Sequence, residues 1–437
     1  MSVLVRSVRD VGTFDCGSRD LMDPAAALNL ILTGVEAIDD AEPVALANAS
    51  GRILATDYVS FVALPRFDNS AMDGYGVHWE DLARPMPISL PFGGSIRPGD
   101  RVAAPARPGF TVPIMTGAPV PEGIAAVIPS ERVIRTADGI HLLAVPRPET
   151  NVRRRGEDVR PGTVIVPAGT VLDARHVAAI AATGGGAVSV RRRLRVAIVS
   201  TGSELVDAGT MIAAGQAVDT NRPMLMSLLA SPPVELVDGG IVPDNAELLG
   251  KTLCRLSEQC DLILSSGGVS GSETDHLGRA LDDAGGRHQT LKLALRPGKP
   301  ILEGTLGGTR LLGLPGNPVA ALVALLLFGG PLIGAMLGLS PAPNLGTLAR
   351  AGGLFPHRAG RVEFVPARVV ATDAQGIPII ERVGSGGSAR LSPLLAADGF
   401  AELDRDAPDI PRGAEIRFHP FTTSFGLLPL GGSRSPR

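Results

Sequence analysis

The feature that most constrains the fold is an alternation of apolar strands and helices that begins near residue 191. The segments RVAIVS, VELVDGG and DLILSS are typical of buried strands, and each is followed by a segment typical of a helix, namely PMLMSLLA, NAELLGKTLCRLSEQ and TDHLGRALDDAG. Strand–helix–strand units of this kind are right-handed and build a mainly parallel sheet covered on both faces. We therefore predict an α/β domain over residues 194–340.

The segments on either side of this domain show other patterns. Near the start, DPAAALNLILTGVEAI places Asp23 at the N-cap and Pro24 at the first position of a helix. Between residues 61 and 150, short apolar runs alternate with turn sequences such as RPGD and TADG, which indicates a small β-rich domain. From about residue 341, VEFVPARVV, IPIIERV, FAEL and AEIRFHPF predict a small β-barrel. The expected fold class is multidomain, α/β plus β.

One long stretch without charge raises the question of a membrane span. Residues 311–349 contain no charged residue, and PVAALVALLLFGGPLIGAMLGL is long enough to cross a bilayer. Gly329, Gly330 and Pro331 interrupt the stretch, so we expect two short buried helices of a large domain instead. We predict no membrane association.

Length, charge and cysteine content narrow the class of protein. A chain of 437 residues is too long for one ordinary core. A net charge of −3 is unlike that of most nucleic-acid-binding proteins, so we expect no nucleic-acid partner. The three cysteines show no CxxC spacing and no Cys/His cluster, which argues against a disulfide framework and a zinc site. Charges interrupt MSVLVRSVRD before a signal peptide can form, so we predict a cytoplasmic protein.

The loops that follow the predicted strands are where a ligand should bind. In an open parallel sheet, ligands bind beyond the carboxyl ends of the strands. TGSEL follows RVAIVS, SSGGVSGSETD follows DLIL, RPGKP follows KLAL and PGNP follows RLLGL. These loops contain glycine, and RPGKP carries Arg296 and Lys299, a combination that favours a phosphate or another oxyanion. A solvated surface charge is the simpler explanation for Lys299.

Acidic residues accompany the same loops. They are Glu204, Asp219, Asp244 and Asp275. Acids beside an anion site imply a cation between them, and Mg²⁺ commonly takes one or two carboxylates plus phosphate oxygens of a substrate. Simpler explanations stay open: Asp244 is also placed to cap a helix, and Asp275 to complete a capping box with Ser272.

Motifs along nearly the whole chain resemble those of the molybdopterin molybdenumtransferase family, which includes bacterial MoeA and the E domain of gephyrin. The motifs are FDNSAMDGYGV, IMTGAPVPEG, NVRRRGED, VSTGSEL, DTNR, SSGGVS, LRPGKP and GLPGNPVAA, in the order found in the family. The chain departs from the family pattern at Arg296, where Lys is more common, and at Pro366, where a basic residue often stands. It also departs at Pro113, where Arg is common, and at Gly271 and Ser272, which are exchanged in character.

The resemblance implies an activity and a domain organisation. Members insert molybdate into adenylated molybdopterin with release of AMP, use Mg²⁺, and form homodimers. Four domains are usual. Here they would be a helical/extended domain of two segments (18–60 and 151–193), an inserted β-domain (61–150), a molybdopterin-binding-type α/β domain (194–340) and a C-terminal β-barrel (341–427). The active cleft would lie between the α/β domain of one subunit and the β-domain of the other, with FDNSAMDGYGV forming the wall that the partner subunit supplies.

The resemblance also implies site residues, by motif match. The expected catalytic residues are Asp73, Thr116, Asp158, Glu204 and Asp275. The expected Mg²⁺ ligands are Asp244 and Asp275. The basic group that would hold molybdate or phosphate is Lys292, Arg296 and Lys299, and the other expected substrate-binding residues are Asp219, Ser266, Gly267, Gly268, Ser270, Pro315, Asn317 and Pro318.

Two other functions stay open at this point. The chain could adenylate molybdopterin, since the enzyme for that step shares the α/β domain, or it could be a non-catalytic scaffold that binds peptides, as the gephyrin E domain also anchors receptor segments. The additional domains and the FDNSAMDGYGV stretch favour insertion, and the acids argue against a pure scaffold. Expected partners are the molybdopterin adenylyltransferase and the molybdoenzymes that accept the product.

Overall fold

The computed structural model of the protein describes residues 21–101, 104–269, 276–339, 346–384 and 389–421. These residues form two compact units. The first helix, α1 (Pro24–Leu32), belongs with residues 191–421, and residues 41–190 form the other unit. The finer domain boundaries expected from the sequence stay predictions.

The unit of residues 41–190 consists mainly of short strands. Its elements are β1 (Ala41–Ala45), β2 (Tyr58–Val59), β3 (Asn69–Ser70), β4 (Gly74–His78), β5 (Ile88–Pro91), β6 (Val112–Ile114), β7 (Ile124–Pro129), β8 (Val133–Arg135), β9 (Gly139–Leu142), β10 (Val152–Arg153), β11 (Val164–Val166), α2 (Ala174–Ala182) and β12 (Ala187–Arg191). β6, β4 and β7 form one antiparallel sheet, and β5, β9 and β8 form another. Apolar side chains of both sheets share one cluster, which is one of the buried clusters of this unit.

The stretch FDNSAMDGYGV, residues 67–77, continues from β3 into β4, the central strand of its sheet. Gly74 has no room for a side chain, because a Cβ atom there would lie 2.3 Å from the carbonyl oxygen of Ile128 on β7. Tyr75 is buried, and its ring stacks on Phe92 with the two centroids 6.1 Å apart. The glycine and the tyrosine of this stretch therefore serve the packing of the unit.

The other unit contains a six-stranded sheet and a barrel. Its elements after α1 are β13 (Leu194–Thr201), β14 (Leu205–Val206), β15 (Ala217–Val218), α3 (Asn221–Leu229), β16 (Val234–Val242), α4 (Ala246–Ser257), β17 (Leu262–Ser266), α5 (His276–Asp283), β18 (Arg287–Lys292), β19 (Leu295–Arg296), β20 (Pro300–Leu306), β21 (Thr309–Leu314), α6 (Pro318–Ala324), α7 (Gly330–Met336), β22 (Thr347–Ala351), β23 (Val362–Thr372), β24 (Pro378–Arg382), α8 (Leu391–Leu395), β25 (Gly399–Leu403) and β26 (Glu415–Pro420).

The strand order of the sheet is β16-β13-β17-β21-β20-β18. The first four strands are parallel, and β20 is antiparallel to both of its neighbours. β18 consequently runs in the same direction as the parallel strands, so its carboxyl end lies at the same edge of the sheet as theirs. α4 and α5 pack on each other and share an apolar cluster with the sheet, whereas α3 packs on α6, β13 and β16, and α6 also packs on β21. The predicted α/β domain is confirmed.

The charge-free stretch forms a single helix. α6 and α7 are joined by a π-helical turn, Leu325–Gly329, into one apolar helix over Pro318–Met336. The expectation of two separate helices was therefore wrong. Pro331 has no N–H to donate and would clash with a carbonyl in a regular α-helix, but the wider π-helical turn lies directly before it. Among the described residues only this helix is long and apolar enough to cross a membrane, and 83% of its 18-residue window is buried within the protein.

Helix α1 packs against this apolar helix. The carboxylate of Asp23 accepts a hydrogen bond of 2.8 Å from the N–H of Ala25, and Pro24 is the first helical residue, so the predicted cap is confirmed. α1 contacts α7 and the π-helical turn, and Met22 forms a backbone bridge to Leu293 next to β18. These contacts explain why α1 belongs with residues 191–421, although the sequence assigned it to the helical/extended domain.

The C-terminal strands form a closed five-stranded barrel. β23, β24, β22, β26 and β25 follow one another around it, and β25 pairs back with β23. Its interior is apolar, with three of the largest side chains supplied by Phe355, Ile380 and Phe418. The predicted β-barrel is confirmed. β19, a two-residue strand in the RPGKP region, adds to the edge of this barrel by pairing with β23.

The close approach at Gly74 leads to a stability prediction. Replacing Gly74 with Ala forces β4 and β7 apart, so we expect the free energy of unfolding to fall by about 2–3 kcal/mol in chemical denaturation. Gly186→Ala is the matched control in the same unit, because a Cβ atom at Gly186 would contact nothing within 4 Å. Equal effects of the two substitutions would contradict the assignment of Gly74 to a packing role.

Candidate active site

Loops at the carboxyl edge of the six-stranded sheet surround a cavity of about 710 Å³. Acids follow the two strands at one end of the sheet, Asp244 after β16 and Glu204 after β13. Glycine-rich turns follow the middle strands β17 and β21. The basic residues Arg296 and Lys299 lie between β18 and β20, at the other end of the strand order. The strand order therefore separates the acids from the bases of these sheet loops along the cavity.

Asp244 is held against the loop after β13. Its carboxylate accepts a hydrogen bond of 3.2 Å from the N–H of Ser203, and its own N–H donates to the Ser203 hydroxyl at 3.0 Å. The N-cap of α4 is Asn245, whose side chain accepts from the N–H of Leu248. The alternative that Asp244 merely caps this helix is thereby removed, and its carboxylate is left to face the cavity.

The turn after β17 requires glycine. Gly267 and Gly268 both have positive φ angles, +93° and +70°, in a region that side chains rarely adopt. A Cβ atom at Gly267 would also lie 2.6 Å from the carbonyl oxygen of Thr201. At these two glycines the cavity is therefore lined by backbone atoms and not by side chains.

The C-terminal barrel supplies part of the cavity wall. Arg382 at the end of β24 lines the cavity, and its Nη1 donates to the carbonyl oxygen of Pro356 at 3.3 Å. Its Nε is buried and has no partner among the described residues. Arg296 contacts Glu363 on β23, with 3.4 Å between Nη1 and Oε2. The positive end of the cavity is therefore built by both the sheet and the barrel.

Several buried polar groups near the carboxyl ends of β13 and β17 have no hydrogen-bond partner among the described residues. In the described part of the chain no hydrogen bond reaches the hydroxyls of Ser200, Thr201 and Ser265 or the Oδ1 of Asn221. Buried polar groups are nearly always satisfied, so such a cluster calls for an explanation. Thr201 lines the cavity, where a bound ligand could supply the missing partner.

Asn221 and Ser266 hold two of the loops together. The Asn221 amide donates at 2.7 Å both to the Ser266 hydroxyl and to the carbonyl oxygen of Gly316. These bonds connect the turn after β17 with the turn after β21. Ser266 was expected to bind substrate, and in the structure its hydroxyl accepts a hydrogen bond that connects these two turns.

The structure brings many of the expected site residues together. Those that line the cavity are Glu204, Asp244, Gly267, Gly268, Arg296, Lys299, Pro315 and Asn317. Four others lie on neighbouring elements but outside the lining, namely Asp219, Ser266, Lys292 and Pro318. Ser270 and Asp275 lie outside the described residues.

Asp219 has a partner within the protein. It is buried, and its carboxylate accepts hydrogen bonds from the backbone N–H and the Nε of Arg222, the latter at 3.0 Å. Arg222 also contacts Asp207 and Asp238. This network gives Asp219 a structural role at the start of α3, and a substrate contact for it stays a prediction.

The remaining expected residues belong to the unit of residues 41–190. Asp73 accepts hydrogen bonds from the backbone N–H of Thr116 at 2.7 Å and from its hydroxyl at 2.8 Å, and these bonds lower the pKa of Asp73. Both residues are exposed. Asp158 is also exposed, and its backbone N–H donates to Leu64. The structure thus joins Asp73 to Thr116 as a hydrogen-bonded pair on the surface of this unit.

Another acid of the FDNSAMDGYGV stretch, Asp68, binds two arginines of the NVRRRGED motif. The Asp68 carboxylate accepts from the N–H of Arg155 at 2.8 Å and from the guanidinium of Arg154 at 2.5 Å. Burial opposes ionisation of Asp68, but these hydrogen bonds and the charge of Arg154 outweigh it and lower the pKa of Asp68. The arginines of NVRRRGED therefore anchor the FDNSAMDGYGV stretch, which the sequence did not reveal.

Sequence reasoning missed three groups of this cavity, Arg382, Glu363 and the Thr201 hydroxyl. Arg382 and Glu363 lie in barrel strands, and their charges alternate with apolar residues as on any half-exposed strand. The pairing of β19 with β23, which brings the barrel to the cavity, joins residues about 67 positions apart. A pattern confined to neighbouring residues contains no such signal.

Comparisons with known proteins decide the family. Profiles of the MoeA N-terminal region (domains I and II), of a probable molybdopterin binding domain and of the MoeA C-terminal region (domain IV) match residues 22–184, 197–335 and 349–421. A molybdopterin molybdenumtransferase of Haemophilus influenzae is 34% identical over 87% of this chain and 94% of its own length. The chain belongs to the molybdopterin molybdenumtransferase family. The expectation of a transferase of molybdenum cofactor biosynthesis is confirmed at this level.

Other members of the family support the same assignment. Molybdopterin molybdenumtransferase 2 of Mycobacterium tuberculosis is 33% identical over 86% of this chain and 93% of its own length. A crystal structure of the molybdopterin biosynthesis MoeA protein from Pyrococcus horikoshii matches with a TM-score of 0.76 and 29% identity, over 92% of this chain and all of that one. The fold described above is thus that of the molybdopterin molybdenumtransferase family.

The acidic end of the cavity has donors that suit Mg²⁺. Asp244 and Glu204 supply carboxylates, and Thr201 supplies a hydroxyl without a partner among the described residues. The described residues contain no group of three or more His, Cys, Asp or Glu placed to hold a metal ion. Mg²⁺ does not require such a group, because it binds through one or two carboxylates, water and substrate oxygens. Oxygen donors alone also argue against zinc.

Arg382 provides a test of the positive end of the cavity. We expect Arg382→Gln to weaken the binding of molybdate, a tetrahedral dianion, about 10-fold, since a hydrogen bond to a charged group contributes about 1.5 kcal/mol. Isothermal titration calorimetry measures this affinity. Arg368→Gln is the control, because Arg368 is exposed on the same barrel and pairs with Glu381 outside the cavity lining. An unchanged affinity in Arg382→Gln would contradict its role in anion binding.

Proposed function

We propose that this protein inserts molybdate into adenylated molybdopterin, with Mg²⁺ and with release of AMP, to form the molybdenum cofactor. The observation that carries the proposal is the distribution of charge along the cavity, with Glu204 and Asp244 at one end and Arg296, Lys299 and Arg382, beside Glu363, at the other. A substrate that combines phosphates with a separate oxyanion needs such a divided site, because the cation and the oxyanion must be bound apart. Membership of the family supports the general assignment.

The acidic end would hold the cation and the phosphates. Asp244, together with Asp275 as assigned from the resemblance, would ligate Mg²⁺, and Glu204 lies at the same end of the cavity. When bound, Mg²⁺ would neutralise the phosphate oxygens and stabilise the charge that develops on AMP as the phosphoanhydride bond breaks. Ser203 fixes the Asp244 carboxylate, so little reorganisation is required on binding.

The basic end would hold molybdate. Lys299 is exposed, so its ammonium can turn toward a dianion, and the guanidinium groups of Arg296 and Arg382 offer several N–H donors in fixed planes. Between the two ends, the positive-φ turn at Gly267 and Gly268 allows a ligand to approach the backbone closely. The substrate would thus extend across the turn, from the cation to the oxyanion.

The proposal includes a homodimer in a cytoplasmic setting. Asp73, Thr116 and Asp158 belong to the unit of residues 41–190, whereas every residue that lines the cavity belongs to the other unit. The family resemblance assigns both groups to one active cleft that two subunits share. The ionised Asp73, held by Thr116, would then be the acid that the partner subunit supplies.

AMP release tests the reaction directly. With purified protein, adenylated molybdopterin and Mg²⁺, we expect AMP to be released in a molybdate-dependent manner. Asp244→Asn should raise the Mg²⁺ concentration needed for half-maximal rate by about 10-fold or more, because the amide keeps the contact with Ser203 but loses the charge. Glu247→Gln, an exposed acid on α4 paired with Lys251, should change nothing.

The outcomes distinguish the alternatives. ATP consumption in place of AMP release would indicate an adenylyltransferase. Release of no AMP by a protein that folds and dimerises normally would indicate a scaffold. An unchanged Mg²⁺ requirement in Asp244→Asn would remove Asp244 from the metal site.

Subunit complementation tests the shared cleft. We expect Asp73→Asn and Lys299→Ala each to abolish most activity, since one lies in each unit. If the two residues act across subunits, a mixture allowed to exchange subunits should regain about a quarter of wild-type activity, because half of the dimers then carry one intact cleft. Mass spectrometry of the mixture shows whether exchange occurred. Exchange without recovery would place both residues in the cleft of one subunit.

A further inference from the structure

Two sets of one arginine, one glutamate and one histidine lie on the C-terminal barrel. In the first set, Glu363 contacts Arg296 and His357. In the second set, Glu402 contacts Arg417 at 3.0 Å and His419 at 2.7 Å. Only the first set has members that line the cavity, Arg296 and Glu363. The second set shows that such a group can exist on this barrel without a role in the site, so it provides an internal comparison.

A buried histidine contacts the carboxylate of the glutamate in the first set. The side chain of His357 is fully buried, and its Nδ1 lies 3.1 Å from Oε2 of Glu363. The backbone N–H of His357 donates to Asp409 at 2.8 Å, which fixes the loop that carries the ring. The Glu363 side chain is only 12% exposed. Its carboxylate therefore has little freedom to turn away from Arg296.

The backbone holds Arg296 directly opposite Glu363. In the parallel pairing of β19 with β23, Leu295 is the partner of Val362, and Arg296 is the partner of Glu363. The N–H of Val362 also donates to the carbonyl oxygen of Ala294 at 2.9 Å. The loop that carries the basic residues of the cavity is thus anchored to the same barrel strand that carries the carboxylate.

We propose that Glu363, held by His357, is a positioning residue that fixes the guanidinium of Arg296 at the anion-binding end of the cavity. Of the Arg296 guanidinium, one nitrogen, Nη1, meets Glu363, at a distance of 3.4 Å. An arginine has five N–H donors in a rigid plane, so the others stay available for an oxyanion. The inference rests on the proposed function, since it assigns a role in molybdate binding to residues of the same site.

The first test measures the position of Arg296 without any reaction. Phenylglyoxal modifies accessible guanidinium groups, and mass spectrometry of the peptides gives the labelling rate at each arginine. We expect Glu363→Gln to raise the rate at Arg296 about 3-fold or more, because a partly buried ion pair of this kind restricts the side chain. Glu402→Gln should leave the rate at Arg296 unchanged. Equal rates in wild type and Glu363→Gln would overturn the proposal.

The second test connects position to substrate. In the AMP-release assay we expect Glu363→Gln to raise the KM for molybdate about 5-fold with kcat within about 2-fold of wild type, as a lost positioning contact affects binding of the anion it serves. Glu402→Gln is the control, because it removes a carboxylate from the same barrel outside the cavity lining and so shows how far this loss alone changes the KM. An identical KM in the two variants would contradict a specific role for Glu363.

A double-mutant cycle excludes a merely structural effect. If Glu363 acts through Arg296, then Glu363→Gln should have little further effect on the KM for molybdate in the Arg296→Ala background. Additive effects would overturn the proposal. The two failures are distinguishable: a changed labelling rate without molybdate-dependent AMP release would leave Glu363 as the positioning residue of Arg296 and refute only the proposed reaction.

Discussion

The parallel alignment of β16, β13, β17 and β21 is the constraint on which the site depends. Because these strands point the same way, and β18 with them, the loops that follow them meet at one edge of the sheet. The strand order then places Asp244 and Glu204 at one end, the paired glycines in the middle and Arg296 with Lys299 at the other. No local feature of any of these loops produces that division of charge. It follows from the topology, because the acids follow β16 and β13 and the bases follow β18, at opposite ends of the strand order.

The barrel contributes to the site through a short piece of sheet. β19 contains only Leu295 and Arg296, yet its pairing with β23 is what brings Glu363 to the cavity. Short strands contribute little stability by themselves. The effect of this one is geometrical, because it fixes the register between a loop that lines the cavity and the barrel. A site built on such anchored elements keeps its donors in place before the ligand arrives.

The sequence predicted the fold more completely than the site. Strand–helix alternation, the Asp23 cap and the short C-terminal strands were each visible within one segment, and each was confirmed. The single helix over Pro318–Met336 was predicted as two helices, because residue propensities give no signal for the π-helical turn that precedes Pro331. Eight expected residues line the cavity because they follow strands. Arg382 and Glu363 were missed because tertiary pairing, and not local pattern, brings them there. The position of Asp219, buried against Arg222, was equally beyond sequence reasoning.

The arginine at position 296 has a physical explanation in this arrangement. The family resemblance implies lysine at this position, whose ammonium is a compact point charge on a flexible stem. Next to Glu363, such a charge would be drawn toward the carboxylate, and its attraction for a second anion would be reduced. A guanidinium spreads its charge over a plane, so Nη1 can meet Glu363 while the remaining N–H groups stay available to an oxyanion. The carboxylate then lowers the net positive charge at this end but improves the direction of the donors. For a tetrahedral oxyanion, which accepts hydrogen bonds from several directions, fixed donors compensate for part of the charge that Glu363 neutralises.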